Sequence, residues 1–340
     1  MVSGMLLLAL LLPFCFSLIP VFTSSKFSTQ HIPPNGMHVE CPERVGKSIE
    51  HLKTLNDLDS ELKAIQTRAE QAEEIIRQVH SEDYIEEVKF AVNNGRKQIS
   101  VFDGDTYIDR TSYDTCVLAQ QCWMDCVDSV LGSKADDEAE RPPFAFALSR
   151  PPGHHAPKSS SMGFCIFNYA MGAVKYAQEK YGIEKVSILD FDVHYGNGVA
   201  SIIEMMPNIR YSSLHQLDIF PGSGKEAHVG PKKNIKNIGI PAASTKNTYM
   251  SEIPNALSFL IDPDSGHIPE VFILSAGYDA LDADPMASVS LQANDYFDIS
   301  KLIKAKVEKH NIPILGGLEG GYDLTQLPLA IESTLRAFSE

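Results

Sequence analysis

The sequence lacks basic runs: no stretch holds more than two consecutive Lys or Arg residues, and the formal net charge at pH 7 is -15. Direct nucleic-acid binding depends on many Lys and Arg contacts to phosphate, so we expect no direct nucleic-acid partner. An acidic surface attracts cations, however. A cationic peptide or a polyamine therefore stays among the substrates that the composition allows.

Cysteine is scarce and irregularly spaced. Neither the CxxC spacing of a zinc knuckle nor the density of a disulfide framework appears among the six cysteines, which are Cys15, Cys41, Cys116, Cys122, Cys126 and Cys165. Cys122 and Cys126 lie four residues apart in a stretch with helical periodicity, so they share a helix face. We predict that most of the cysteines are buried free thiols, because Cys behaves as a small hydrophobe.

The chain also lacks an apolar run long enough to span a bilayer as a helix. The run from Met5 to Phe16 is too short, but Cys15 and Ser17 are small residues placed like the -3 and -1 positions of a signal-peptidase site. No Lys or Arg precedes the run. We expect a signal peptide over residues 1–17, no membrane span after its removal, and a location in the secretory pathway or an organelle. The alternatives are a retained anchor, a first buried strand, or a misassigned start and a location in the cytoplasm or nucleus.

What the sequence does contain is an alternation of apolar and helical segments. Apolar runs predict strands at residues 19–22, 144–148, 186–189, 209–214, 271–275 and 312–315. Helical periodicity covers residues 43–94, 112–131, 169–181, 255–261 and 294–309. The polar composition of residues 132–143 predicts a surface loop. Strands that are apolar on both faces and alternate with helices predict an α/β fold with a mostly parallel sheet covered on both sides. No repeat or long linker divides residues 18–340, so we expect a single domain there.

Polar motifs follow the predicted strands, at the carboxyl ends where such folds bind ligands. In Asp190-Phe-Asp192-Val-His194 two carboxylates and an imidazole occupy alternate positions, so they point the same way if the backbone is extended. These groups suit a borderline divalent ion such as zinc. One strand end supplies only part of a coordination shell, so a further ligand must come from elsewhere. The alternative is a strand end with hydrogen-bonded carboxylates and no metal.

Two adjacent histidines follow a rigid turn in Arg150-Pro-Pro-Gly-His154-His155. Imidazoles need hydrogen-bond partners when they are buried, so core packing explains this pair poorly. Two bases that titrate near neutral pH suit general acid–base chemistry beside a metal. The alternative is a pair of surface histidines in a loop.

Two further segments carry polar side chains past strand ends. Asp279 ends the segment Leu274-Ser-Ala-Gly-Tyr-Asp, and Tyr322 lies among glycines in Gly316-Gly-Leu-Glu-Gly-Gly-Tyr. Glycines let the backbone turn tightly and direct the phenol at a ligand. Taken alone, each segment is weak evidence, because an Asp or a Tyr after a strand is usually a helix cap or a packed ring.

Taken in order, the four segments resemble the histone deacetylase family. Further similarity begins at His38-Val-Glu-Cys-Pro-Glu-Arg, His80-Ser-Glu-Asp-Tyr-Ile and Asp103-Gly-Asp-Thr-Tyr, and it covers the chain from about residue 19 to the end. Asn197 and the Ser-Ala-Gly-Tyr-Asp stretch look more like the class II and bacterial members. The resemblance implies the three-layer arginase/deacetylase fold and a zinc-dependent deacetylase of acetyl-lysine in proteins. It also allows an amidohydrolase of acetylpolyamines or other small acyl-amines.

The resemblance implies a role for each matching residue. The zinc ligands would be Asp192, His194 and Asp279, and Tyr322 would donate a hydrogen bond to the scissile carbonyl. Of the two histidines, His155 would be the general base and His154 the electrostatic helper. Asn197 would orient His155, and Asp190 would orient His154. The base would take a proton from the attacking water, and no Ser or Cys nucleophile is expected.

Other matching positions concern the substrate tunnel and a structural potassium ion. Gly163 and Phe164 match one wall of a narrow acyl-lysine tunnel, and Met286 falls where polyamine-preferring relatives carry an acidic residue. The residues that match a structural potassium site are Asp190, Ser213 and Leu214. Tyr195 departs from the family pattern, because most relatives carry a second histidine there, and we expect it to have a packing role. A non-catalytic, metal-bound interaction module is the alternative from a different class of protein.

Overall fold

The computed structural model describes residues 18–99, 103–132 and 141–340. The signal peptide predicted over residues 1–17 and most of the predicted loop at 132–143 therefore lie outside the described residues. Within the described ranges the chain forms eight strands: β1 Ile19–Thr23, β2 Ser60–Ala64, β3 Ala145–Ala147, β4 Val186–Asp190, β5 Ile209–Gln216, β6 Ile235–Ile240, β7 Val271–Ala276 and β8 Ile314–Leu318.

The same described ranges form nine α-helices and one short 3₁₀ helix, Ser25–Ser28. The α-helices are α1 Glu43–Leu52, α2 Ala69–Val79, α3 Glu82–Asn93, α4 Ser112–Leu131, α5 Tyr169–Tyr181, α6 Asn197–Ile203, α7 Lys246–Leu260, α8 Asp295–Glu308 and α9 Leu327–Ser339. Local sequence explains the bounds of α5. The Asn168 side chain accepts the N–H of Met171 at 3.1 Å, and Gly182 ends the helix in the left-handed conformation.

The eight strands form one sheet in the order β2-β1-β3-β8-β7-β4-β5-β6, and every adjacent pair is parallel. Four strands, β3, β8, β7 and β4, are neighbours at its centre. The register places Asp190 of β4 between Ser213 of β5 and Ser275 of β7. The carboxyl ends of these strands therefore meet along one edge of the sheet.

Two groups of helices cover the sheet, which confirms the predicted three-layer α/β fold. One group consists of α2, α4 and α5, and the other of α1, α7, α8 and α9. Because α4 is apolar around much of its circumference, it is buried along nearly its whole length, with Trp123 fully enclosed. Among the described residues, no helix has the length and apolar character needed to cross a membrane.

The structure corrects several sequence expectations about the elements. The helical stretch predicted at 43–94 is interrupted by β2, where Leu62 pairs with Val21 of β1. This edge strand is too short for its alternation to stand out from the flanking helical spacing. The elements β6, α6 and α9 were not predicted, and α7 begins at Lys246 and continues through Pro254. The prediction of buried free thiols is confirmed for four of the five described cysteines, whereas Cys41 is partly exposed.

Candidate active site

The side chains predicted to form a site come from the ends of the four central strands. The segments after β3, β8, β7 and β4 carry, in that order, His154 and His155, Tyr322, Asp279, and Asp192 with His194. All of these residues are buried. Since the ends of parallel strands meet at the same edge of a sheet, the fold brings together side chains that are far apart in the sequence.

Asp192, His194 and Asp279 form the candidate metal centre. One donor atom from each lies within 4.8 Å of the other two. His194 Nδ1 lies 2.9 Å from Asp279 Oδ2 and 3.3 Å from Asp192 Oδ1. The N–H of Val193 donates to Asp279 Oδ1 at 2.9 Å, and that of Gly320 donates to Asp192 Oδ2 at 2.7 Å. The three predicted ligands are thus adjacent, and the backbone fixes both carboxylates.

The charge balance around these carboxylates favours a bound cation. In the described part of the chain only histidines form ion pairs with them, and no Lys or Arg does so. Burial raises the pKa of Asp279 to about 6, and the nearby carboxylate of Asp192 adds to the increase. Adjacent buried carboxylates are costly without a cation, whereas two carboxylate oxygens and an imidazole bind zinc with a position left open. The donor set therefore fits a single catalytic zinc ion.

Glycines leave the space that the carboxylates of the candidate metal centre occupy. A Cβ built on Gly320 would overlap the carboxylates of both Asp192 and Asp279, and one built on Gly277 would overlap that of Asp192. Gly320 does not have a positive φ. Lack of space, rather than backbone conformation, therefore requires glycine at this position.

We predict that Gly320→Ala lowers zinc affinity by about 10-fold or more, because the added methyl group displaces the Asp192 carboxylate. Loss of a contact that orients a metal ligand typically has an effect of this size. Metal analysis after dialysis at fixed free zinc concentrations would measure the change. Gly46→Ala is the matched control, since its Cβ would make ordinary contact with Ser28 from within α1. A folded Gly320→Ala protein with unchanged zinc affinity would contradict the assignment of Asp192 as a ligand.

The two adjacent histidines have different surroundings. His154 Nδ1 lies 3.0 Å from Asp190 Oδ2, and His155 Nδ1 lies 2.7 Å from Asn197 Oδ1. Burial opposes a charge on His154, but the carboxylates of Asp192 and Asp190 outweigh it and hold the pKa of His154 well above its usual value. Burial and the neighbouring His154 hold the pKa of His155 well below its usual value. His155 is therefore neutral at pH 7 and able to accept a proton.

The positions expected around potassium lie on two adjacent strands. Asp190 ends β4 and pairs in register with Ser213 of β5, which is followed by Leu214. All three are buried. Asp190 Oδ2 accepts the O–H of Tyr211 at 2.7 Å, and Ser213 Oγ lies 2.9 Å from His215 Nδ1. The structure brings these residues together, and the potassium ion itself stays a prediction.

Tyr322 lies in a loop that is held from two sides. Asp284 Oδ2 accepts its main-chain N–H at 2.6 Å. The buried Arg44 donates to the carbonyl oxygens of Gly321 at 2.6 Å and Glu319 at 2.5 Å, and its guanidinium lies 4.7 Å from the centre of the Tyr322 ring. Burial holds the pKa of Tyr322 well above its usual value, although Arg44 opposes the increase. The phenol therefore keeps its proton and can donate a hydrogen bond to a developing oxyanion.

A cavity of about 230 Å³ reaches this cluster. Its lining consists of Asp103, Asp105, His155, Gly163, Phe164, His194, Phe220, Met286 and Tyr322. The Phe164 ring lies 5.7 Å from that of Tyr322, and the Phe220 ring lies 5.0 Å from that of His155. Gly163 has a φ of +55°, and a Cβ there would overlap the His155 ring. All three residues predicted for the tunnel thus line the cavity.

Sequence reasoning missed two residues of this site. Phe220 forms part of the cavity wall, and its only sequence signal was a Phe-Pro-Gly segment shortly after a predicted strand. Arg44 lay in a segment that resembled the family, but nothing in that segment indicated that its guanidinium would reach the Tyr322 loop. Both contacts depend on the packing of elements that are distant in the sequence.

The fold and this constellation define a class, that of the deacetylase-type α/β proteins with a carboxylate–histidine centre at the sheet edge. Residues 38–338 match the family profile described as "Histone deacetylase domain". The chain belongs to the histone deacetylase family and is a hydrolase of the amidohydrolase type.

Curated relatives match most of the chain. An uncharacterised protein of Synechocystis sp. is 32% identical over 323 residues, which are 94% of this chain and 99% of that protein. "Histone deacetylase 10, chloroplastic" of Oryza sativa is 32% identical and matches 88% of this chain and 69% of its own length. "Polyamine deacetylase HDAC10" of Danio rerio is 29% identical and matches 88% of this chain and 44% of its own length. Membership of the family is therefore compatible with either a protein or a polyamine substrate.

A solved structure agrees with the fold. The crystal structure of the HDA15 HD domain superimposes with a TM-score of 0.80 at 25% sequence identity, covering 95% of this chain and 90% of that one. This similarity confirms the three-layer deacetylase fold that the sequence resemblance implies.

Proposed function

We propose that this protein is a zinc-dependent deacetylase that hydrolyses the amide of acetyl-lysine, or of a related acyl-lysine, in proteins. The observation that carries the proposal is that His155, His194 and Tyr322 line one cavity together with the apolar walls of Phe164 and Phe220. An acylated lysine side chain has lost its charge and presents methylene groups, so apolar walls suit it. The reacting amide would then lie between a candidate base, a metal ligand and a phenol.

The residues of the chain would act in a defined sequence. Bound zinc would supply Lewis acidity, which lowers the pKa of water and polarises a carbonyl. His155, held through its other nitrogen by Asn197, accepts the proton of the attacking water. Tyr322 donates its O–H to the carbonyl oxygen as negative charge develops, and the charge on His154 adds to this stabilisation. A protonated histidine then returns a proton to the departing amine.

The mechanism needs no covalent intermediate. Cys165 is buried, and its Sγ atom accepts the main-chain N–H of His155 at 3.4 Å. Burial holds the pKa of its thiol well above the usual value, so the thiolate is not formed near neutral pH. Cys165 is therefore a wall residue rather than a nucleophile in this proposal.

Hydrolysis of acetylpolyamines is a second candidate, and it is favoured by the acidity of the cavity lining. Asp103 and Asp105 both contribute to that lining, and the chain as a whole carries a net charge of -15. Such groups attract the free ammonium of a polyamine. Met286 disfavours this second candidate, because it lines the same cavity and its apolar side chain offers no partner to a charged amine.

The experiment that tests the proposal compares kcat/KM of the zinc-loaded protein on an acetyl-lysine peptide and on N-acetylspermidine, with and without a hydroxamate chelator. We expect hydroxamate-sensitive turnover and the higher value for the peptide. A higher value for N-acetylspermidine would select the second candidate. Absence of turnover on both, with one zinc bound per chain, would instead indicate a metal-bound interaction module.

We predict that Met286→Glu shifts the ratio of kcat/KM values toward N-acetylspermidine by about 10-fold, or ~1.4 kcal/mol. A carboxylate in the cavity lining would pair with the substrate ammonium and leave the neutral acyl-lysine arm without an apolar contact. The same assays on both substrates measure this ratio. Met205→Glu is the matched control, since Met205 is 65% exposed and does not line the cavity. An equal shift in both variants would show that only overall charge matters.

A further inference from the structure

A buried carboxylate outside the proposed catalytic set joins two parts of the site. Glu319 follows β8 and is fully buried. Its Oε2 atom accepts the main-chain N–H of Gly153 at 2.6 Å and that of His154 at 3.0 Å. Its Oε1 atom is buried and has no hydrogen-bond partner among the described residues. Burying such a group is costly, so a carboxylate at this position points to a function that apolar packing does not supply.

The main chain around Glu319 is tied to the other catalytic parts. Its N–H donates to the carbonyl of Ala276 on β7 at 2.9 Å, and its own carbonyl accepts from Arg44 at 2.5 Å. The next residue, Gly320, donates its N–H to Asp192 Oδ2 at 2.7 Å. Tyr322 follows two residues later. One short segment therefore fixes a candidate metal ligand, the tyrosine loop and, through the Glu319 side chain, the turn that precedes the paired histidines.

We propose that Glu319 is a positioning residue, whose carboxylate holds the Gly153–His154 turn in a fixed position relative to residues 320–322. The imidazoles and the Tyr322 phenol then face the same reacting carbonyl. Because two N–H groups donate to one oxygen, the main chain of the turn is itself restrained. Side-chain packing alone would restrain it less. The inference rests on the proposed function, because it concerns the histidines as an acid–base pair. Displacement of catalytic groups by about 1 Å can reduce the rate by about 10²-fold.

A second metal site is the competing explanation for this buried cluster. Donor atoms of His154, Cys165 and Glu319 lie within 4.8 Å of one another. However, His154 Nδ1 is already engaged by Asp190, and Cys165 Sγ accepts the N–H of His155 at 3.4 Å. The geometry instead favours the positioning role. Metal analysis of the wild-type protein should therefore give one zinc per chain, and two would overturn the proposal.

The test compares Glu319→Gln with Glu319→Leu, both loaded with zinc. The glutamine carbonyl oxygen can accept both N–H bonds, whereas leucine fills the space and accepts none. We expect Glu319→Gln to keep kcat within about 5-fold of the wild type, and Glu319→Leu to lose about 10²-fold in kcat with KM changed by less than about 3-fold. Zinc content should stay at one per chain in both variants.

Hydrogen–deuterium exchange makes the test independent of activity. The amides of residues 153 and 154 should exchange faster in Glu319→Leu than in the wild type, and at the wild-type rate in Glu319→Gln. Wild-type kcat in a folded Glu319→Leu protein, equal inactivity of both variants, or unchanged exchange would each overturn the proposal. If the wild type hydrolyses neither substrate, the proposed function fails, and the exchange rates still decide whether Glu319 holds the turn.

Discussion

Replacement of Asp192 by alanine is expected to remove measurable deacetylation, with a loss of about 10³-fold or more in kcat/KM, equivalent to several kcal/mol of metal-dependent stabilisation. Asp192 supplies one of the three converging donor atoms, and its Oδ2 atom also lies 3.8 Å from His154 Nε2. The substitution therefore removes a candidate metal ligand and a negative partner of the charged histidine. Hydrolysis of an acetyl-lysine peptide and zinc content, measured on the same sample, give the two readouts.

Two comparison variants make the result specific to the metal. Asp192→Asn keeps an oxygen that can accept the Gly320 N–H, but the neutral amide is a weaker zinc ligand, so its affinity for zinc should fall while the fold is retained. Asp57→Asn removes an exposed carboxylate that pairs with Arg336 and should leave turnover and zinc content unchanged. Retained turnover in an Asp192→Ala protein that holds no metal would reject the zinc mechanism.

Two of the three residues of the candidate metal centre, Asp192 and His194, could be predicted from the sequence because their pattern is local. Asp190 ends the buried strand β4, and Asp192 and His194 come after it at alternate positions, a spacing that predicts one shared side for an extended backbone. Asp279 required a further step, since a single aspartate after a strand has several common roles. It became a candidate ligand through the resemblance of the four segments to the histone deacetylase family, and the parallel sheet then explains why it lies beside the other two.

The supporting residues could not be predicted because their partners are remote. Glu319 binds a turn 166 residues upstream, and Arg44 reaches a carbonyl 277 residues downstream. A single sequence carries no information about which of its distant polar groups will meet. The short edge strand β2 was missed for a related reason, since its place is set by pairing with β1 and not by its own composition.

Buried charges connect the loop that carries the paired histidines to the loop that carries Tyr322. Arg150, the first residue of the paired-histidine segment, makes a bidentate ion pair with Glu40 at 2.7 and 2.8 Å. Glu40 also lies 3.3 Å from Arg44. Burial opposes ionisation of Glu40, but Arg150 outweighs it and holds the pKa of the carboxyl well below its usual value. The turn that carries the histidines and the loop that carries Tyr322 are therefore braced by one ionised group.

Substitution of Tyr322 by phenylalanine is expected to lower kcat by about 10²–10³-fold, the usual effect of removing one oxyanion donor. The ring contacts with Arg44 and Phe164 would persist, so zinc content, stability and KM should change little. Steady-state kinetics on the acetyl-lysine peptide measure the effect. Tyr181→Phe is the matched control, because it removes a phenol that donates to Asp128 away from the cavity.

The pH dependence of kcat shows whether Tyr322 acts as a hydrogen-bond donor that keeps its proton or as a group that gives up its proton. Since burial holds the pKa of Tyr322 well above its usual value, the phenol stays protonated through mildly alkaline pH and should produce no fall in kcat there. The wild type and Tyr322→Phe should consequently show pH profiles of the same shape, displaced by a constant factor. A fall in kcat between pH 8 and about 10 that disappears in the variant would mean that Tyr322 ionises within that range, and that it does not act as the fixed donor to the oxyanion.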